Sequence, residues 1–253
     1  MNEKVPGHAG LTYFDLMKLV ITDLAPGTKS GHALVPFRHI EGKDSKTAAP
    51  DAPSIESLDA IPIPGDRSRL VLLADLGHTD EDVTEVVLLC LFVLEPSPKL
   101  LDVVEVGSDR FTGFQTTSLP MLAPRAPLIL IWSGHNNSNE SYQFTEMIFI
   151  RNERFSLIDT LFLFDERFCA FERTHTASFG TLPDPGPYRA VHVAVQQVTK
   201  PSGEDCGDEK SPPPRHKIYQ ATYRWDTGKQ DFVAGSHELD ALGKANWKRA
   251  TSG

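Results

Sequence analysis

The chain has 253 residues, of which 40% are hydrophobic and 23% charged, a composition that excludes disorder, collagen or coiled coil as a description of the whole. Its 34 acidic and 25 basic side chains leave a net charge of −9, so nonspecific attraction to nucleic acid or to an anionic membrane is not expected. Fourteen Phe, 19 Pro and 18 Gly favour strands joined by many turns.

Taken in order, residues 1–40 read as an N-terminal helix and lead-in, 41–66 as a linker or loop, and 67–253 as a β domain. In residues 11–24 (LTYFDLMKLVITDL), Leu16, Leu19, Val20 and Leu24 fall near a 3.6-residue spacing, which predicts one amphipathic helix. Thr12 and Asp15 suit a capping box at its start, and Pro26-Gly27 ends it. Residues 41–66 are rich in Lys, Asp, Ser, Ala and Pro without sustained periodicity, hence the linker. The longest apolar run, residues 86–94, is far short of the ~20 residues a spanning helix needs, so membrane insertion is not expected. Residues 200–217 (KPSGEDCGDEKSPPPRHK) contain three consecutive prolines and must leave the sheet. Residues 236–249 predict a closing helix, with Ser236 as N-cap and Leu239 and Leu242 on one face.

The β region repeats itself. VLLADLGH, ending at His78, matches LILIWSGH, ending at His135; LLDVVEVGSDRFTGF matches LIDTLFLFDERFCAF, bringing Asp102 onto Asp159 and Arg110 onto Arg167. Both matches have the same offset of 57 residues, while TEVVLL and TEMIFI between them are offset by 61. Length changes confined to turns are what duplication of one β unit gives, because packing fixes the strands and not the turns. The fold class expected is therefore mostly β, with antiparallel sheets built from a duplicated unit of about 57 residues and a short helix at each end. The copies span residues 67–124 and 125–182, with a weaker third echo at 187–240. A propeller-like array, a barrel and a sandwich of packed sheets all remain open. Residues repeated in both copies, Asp102 with Asp159, Arg110 with Arg167 and Phe111 with Phe168, are expected to serve the unit, the Phe pair as core anchors, while Glu85 and Glu146 read as starting the long strands and are expected to be edge or strand-end charges.

No GxSxG, HExxH, Walker A, GxGxxG or EF-hand loop is present. The acidic loop after the first copy's opening strand gathers Asp75, Asp80, Glu81 and Asp82. Clustered carboxylates beside a glycine suit calcium, and Asp75, Asp80 and Asp82 are the candidate ligands; a solvated acidic turn is the plainer reading. In the second copy the same place, residues 133–143 (SGHNNSNESYQ), is four residues longer and exchanges acid for amides. Trp132, His135, Asn136, Asn137, Asn139 and Tyr142 make this loop the candidate site for a polar ligand such as a glycan, through hydrogen bonds and ring stacking. Asn and His also suit tight turns, and two N-x-S sequons fall here. In FERTHTASF, Glu172, Thr174 and Thr176 share one strand face and Arg173 and His175 the other. An Arg beside a His suits an anion, against a solvated face as the default.

Of the three cysteines, Cys90 sits in the apolar run as a small hydrophobe, while Cys169 and Cys206 are a candidate disulfide, Cys206 lying in a polar loop. The first function expected is a non-catalytic binding or interaction module, periplasmic or secreted, that takes a polar ligand or protein. A hydrolase using His135 or His175 with loop carboxylates, or a calcium-binding β-repeat protein, is the alternative. The opening MNEKVPGHAG has no apolar signal region.

Overall fold

A computed structural model of the chain describes residues 1–42, 50–78, 85–107, 109–116, 118–204, 206–207 and 210–251. The elements are α1 (Tyr13–Met17), β1 (Arg38–His39), β2 (Ser57–Ile63), β3 (Asp66–His78), β4 (Glu85–Val93), β5 (Lys99–Val106), β6 (Phe111–Phe114), β7 (Met121–Ala123), β8 (Ala126–Asn136), β9 (Glu140–Arg151), β10 (Arg154–Arg167), β11 (Phe171–Leu182), β12 (Ala190–Pro201), β13 (Arg215–Asp226), β14 (Asp231–Ala234) and α2 (Glu238–Ala250). The fold is mostly β, antiparallel apart from the short parallel pair β1–β5, with a helix towards each end.

The strands form two sheets. The first has the order β1-β5-β4-β3-β2, the second β14-β13-β12-β11-β10-β9-β8-β6 with β7 added beside β8. Alternation along the strands places them in layers. From β4, Val86, Leu88, Cys90 and Phe92 pack against Leu16, Met17, Val20 and Ile21 of the N-terminal segment. Val87, Leu89 and Leu91 pack the other way, against Ile129, Ile131, Ile148 and Ile150 of β8 and β9. From β9, Met147 and Phe149 turn to Val191, Val193 and Val195 of β12, with Leu239 and Leu242 of α2 in the same cluster. The second sheet reaches both sides of its own core because β10 and β11 share only two residue pairs, Glu166↔Arg173 and Arg167↔Glu172, before they part. Three β layers result, and no sheet among the described residues closes into a barrel. Packed sheets are thus the architecture found. The unbroken apolar run of β4 follows from burial on both faces.

The two segments aligned by the 57-residue offset are both three-strand meanders, β3-β4-β5 and β8-β9-β10. Each carries a bulge at the same aligned place. Leu101 is skipped between Leu100↔Phe92 and Asp102↔Leu91, and Ile158 between Leu157↔Ile148 and Asp159↔Met147. The β9–β10 hairpin turns at Asn152 and Glu153, both at positive φ, as a tight two-residue turn requires.

Four local expectations are corrected. The helix expected over residues 11–24 stops at Met17, although the Thr12–Asp15 capping box forms. The β-branched run Val20-Ile21-Thr22 pairs instead with the stretch 33–35, through Thr22 N–H to Ala33 O (2.8 Å) and Val35 N–H to Val20 O (2.9 Å). The linker expected over 41–66 contains β2, an edge strand that tolerates Pro62 because it pairs on one side only. Ser236 donates to Gln220 O rather than capping α2, whose N-cap is His237. Phe111 is 49% exposed, so it is not a core anchor.

Candidate functional site

The segment 133–143 is less of a loop than its composition predicts. β8 and β9 stay paired out to Asn136↔Ser141, leaving only Asn137, Ser138 and Asn139 as the turn. Asn137 closes it. Its Oδ1 accepts from Asn139 N–H (2.9 Å) and Glu140 N–H (2.7 Å), and its own N–H donates to Glu140 O, so this amide serves the backbone. Arg167 N–H donates to Asn139 O (2.6 Å), fastening the turn to the end of β10. Gly134 is required by close approach, since a Cβ there would lie 2.3 Å from Tyr142 O.

Around this hairpin lies a groove of about 410 Å³ that gathers Trp132, His135, Asn136, Asn137, Asn139 and Tyr142. Its wall includes Phe111, which β6 pairs against Gly134. The Trp132 indole lies over Gly113, where a Cβ would come within 3.1 Å of Nε1. The Tyr142 hydroxyl donates to Asp109, and burial together with that carboxylate pushes its pKa up to about 12. His135 Nδ1 is 3.9 Å from Asp109 Oδ1, beyond hydrogen-bond reach, and its ring centroid is 6.0 Å from that of Tyr142. The side chains of Asn136 and Asn139 are exposed and make no hydrogen bond among the described residues. Asp109 and Phe111 carried no sequence signal for this site, because only the pairing of β6 with β8 brings them here.

The other candidate residues lie elsewhere. Asp75 is half-buried on β3 and accepts from Gly77 N–H (2.8 Å); burial and the nearby Glu56 raise its pKa. Asp80 and Asp82 lie outside the described residues. Among the described residues the one set of three close metal-donor side chains is Cys169, Glu204 and Cys206, and its two sulfurs are joined in a disulfide with Cα atoms 5.7 Å apart. Cys90 is buried and free.

Of the two candidate histidines, His175 is the one that hydrogen-bonds a carboxylate. Its Nδ1 is 2.9 Å from Asp165 Oδ1 and its Nε2 is 3.0 Å from Gln197 Nε2, while its side chain has no exposure to solvent. With Nδ1–H donating to Asp165, Nε2 accepts from the Gln197 amide, and both ring nitrogens are taken. The face shared by Arg173 and His175 is therefore not the solvated one expected. Leu242 and Ala245 of α2 and Pro212 and Pro213 stand over its end.

Glu85 opens β4, whereas Glu146, aligned with it in the sequence, lies in the middle of β9, which begins at Glu140, so the strand-end position expected for the pair holds for Glu85 alone. Neither is an ordinary surface charge. Burial pushes Glu146 up to about 8 despite the Gly107 N–H it accepts at 3.3 Å, and pushes Glu85 up to about 7 with help from Asp75. No family model matches the chain, and no curated protein or solved structure matches it either.

Proposed function

We propose that the protein is a non-catalytic binding module whose groove at the β8–β9 hairpin takes a polar, uncharged ligand of the glycan class. The observation that carries this reading is that the six candidate residues of this one hairpin all line a single groove of about 410 Å³. Trp132 and Tyr142 offer rings for stacking, while Asn136 and Asn139 keep amides turned outward for hydrogen bonds. The two meanders are taken as copies of one unit, so a groove built where they differ is free of duties common to both.

The disposition of the histidines favours binding over hydrolysis. A general base needs a histidine that is both oriented by a carboxylate and open to substrate. His135 is open, but lies 3.9 Å from Asp109; His175 is held by Asp165, but is sealed from solvent. The Cys169–Cys206 disulfide supports an exported protein, and no helix among the described residues is long and apolar enough to cross a membrane.

The test is titration of the purified protein with a panel of neutral oligosaccharides, followed by tryptophan fluorescence and calorimetry. At least one should bind saturably. The double variant Asn136→Ala with Asn139→Ala should then lose roughly tenfold in affinity, about one kcal/mol or slightly more, with an unchanged melting temperature. Absence of binding across the panel, or affinity indifferent to both amides, sinks the reading. Cleavage of a sugar that His135→Ala abolishes would replace it with the hydrolase.

A further inference from the structure

A second cavity, of about 260 Å³, lies between β11, β12, β13 and α2. In the register of the sheet, Arg173 stands opposite Thr199 and Thr199 opposite Arg215, so these three side chains form one row across neighbouring strands on a single face. α2 brings Arg249 to the same cavity, and Pro212 and Pro213, within the stretch closed by the Cys169–Cys206 disulfide and β13, form part of its wall. Gln197 and Tyr219 complete the polar lining, joined by the Tyr219 hydroxyl donating to Gln197 Oε1 (3.3 Å). Because Thr174 lines the hairpin groove and Arg173 lines this cavity, the two open on opposite faces of β11.

The charges at this cavity do not balance. One carboxylate, Glu166, serves both Arg173 and Arg249. Arg215 has no ion pair among the described residues, and Lys217 adds a fourth cation 3.9 Å above the Tyr219 ring. Arg249 Nε lies 3.1 Å from Glu166 Oε2 in a poorly aligned ion pair, and its Nη2 donates to Asn246 Oδ1. Burial and the neighbouring Arg173 both pull the Arg249 pKa below its ordinary value, against the partial support of Glu166. Two partly buried guanidinium groups that share one counterion, with the exposed Arg215 beside them in a chain of net charge −9, are unusual as a purely structural device, because like charges at a half-buried cavity repel.

We propose that the cavity edged by Arg173, Arg215 and Arg249 is a binding site for a small oxyanion: a phosphate, a sulfate or the anionic group of a larger molecule. Guanidinium forks match tetrahedral and carboxylate oxygens in paired hydrogen bonds, and the Thr199 hydroxyl supplies a neutral donor beside them. The site is distinct from the hairpin groove and does not depend on what that groove binds.

The experiment is calorimetry and thermal unfolding of the whole chain with inorganic phosphate, inorganic sulfate and glucose 6-phosphate, each against sodium chloride at matched ionic strength. Saturable binding of at least one oxyanion, with a rise in melting temperature that chloride does not reproduce, is expected. Arg215→Gln should weaken it roughly tenfold, the worth of one charge-assisted hydrogen bond, and Arg249→Lys should weaken it while keeping the charge. Arg215 is exposed and unpaired among the described residues, so its variant tests binding without disturbing the Glu166 pair. Glucose 6-phosphate bound more tightly than phosphate marks the anion as the handle of a larger ligand; equal affinity marks a free-ion site. Melting shifts no larger than those of chloride, or affinity that neither variant changes, overturn the proposal.

Discussion

Glu146 is a buried carboxyl in the middle of β9, on the face turned to the first sheet. Its alignment with Glu85 suggests a solvated strand-end charge, but β9 begins six residues earlier, at Glu140. The surroundings differ because Glu146 follows the same face as Ile148 and Ile150, towards the first sheet. Only 6% of it is exposed, and burial raises its pKa from 4.5 to about 8. Between those two pH values the folded protein keeps a proton that the unfolded chain releases, so its contribution to stability falls as pH rises through this window and is level outside it. Glu85, raised to about 7, acts in the same direction. Glu146→Gln mimics the protonated form and removes the penalty. Urea unfolding should therefore find the variant more stable than wild type by on the order of 3–5 kcal/mol at pH 9, with the gain disappearing below pH 4.5. A constant difference between the two proteins across that range would refute the buried carboxyl. Asn137 was legible as a turn residue for a firmer reason: a short amide commonly closes a turn on its own backbone, whatever the tertiary setting.

At the scale of elements, the matching strings could be seen in the sequence and their structural purpose could not. Matching strings predicted corresponding strands, because strand sequences are constrained by packing on their faces. The bulges at Leu101 and Ile158 left no mark, since one skipped residue looks like any other apolar position. Yet each precedes an aspartate that reaches the next layer. Asp102 Oδ2 accepts from Phe155 N–H (2.8 Å) and from Arg38 Nη2 (2.8 Å), and Asp159 Oδ2 accepts from the Tyr223 hydroxyl (2.7 Å). A bulge re-aims the side chain beside it, and here each one is followed by a carboxylate that meets a donor on a neighbouring layer. Asp102→Ala leaves the Phe155 N–H without its acceptor and the Arg38 guanidinium without its counterion, with only the Phe155 carbonyl to accept from it, at a side chain only 9% exposed. We expect a loss of about 3 kcal/mol in urea unfolding, against a few tenths for Asp59→Ala on the exposed side of β2. Equal effects at the two positions would mean that the bulge carboxylate joins nothing. The short α1 failed for a related reason: the 3.6-residue spacing was real, but β-branched residues at 20–22 found strand-like partners that periodicity cannot reveal.

For the whole molecule, the unbroken apolar run of residues 86–94 agrees with the burial of β4 on both faces that the structure shows, but says nothing of what covers it. One cover is the N-terminal segment, which looked like a lead-in to the domain. Leu16, Met17, Val20 and Ile21 have no solvent exposure and share a cluster with Leu72, Leu88 and Phe92 of the first sheet. The far side of the molecule is monitored independently, because the three tryptophans, Trp132, Trp225 and Trp247, lie in β8, β13 and α2. If the layers form one cooperative unit, damage under α1 must lower the transition seen at those tryptophans. Leu16→Ala removes a fully buried side chain and should cost 2–5 kcal/mol, about as much as Leu88→Ala in the centre of the sheet. Fluorescence and far-UV circular dichroism should then give coincident urea midpoints in both variants, each shifted by a similar amount. If instead the circular dichroism transition of Leu16→Ala moved to lower urea while the tryptophan midpoint stayed in place, the N-terminal layer would be a separate unit resting on a sandwich that folds without it. Coincidence is the expected outcome. The first sheet has apolar residues on both faces, so losing either cover exposes Leu70, Leu72, Leu88 and Phe92 or Val71, Leu73, Leu89 and Leu91 to water, and neither surface is stable when bare.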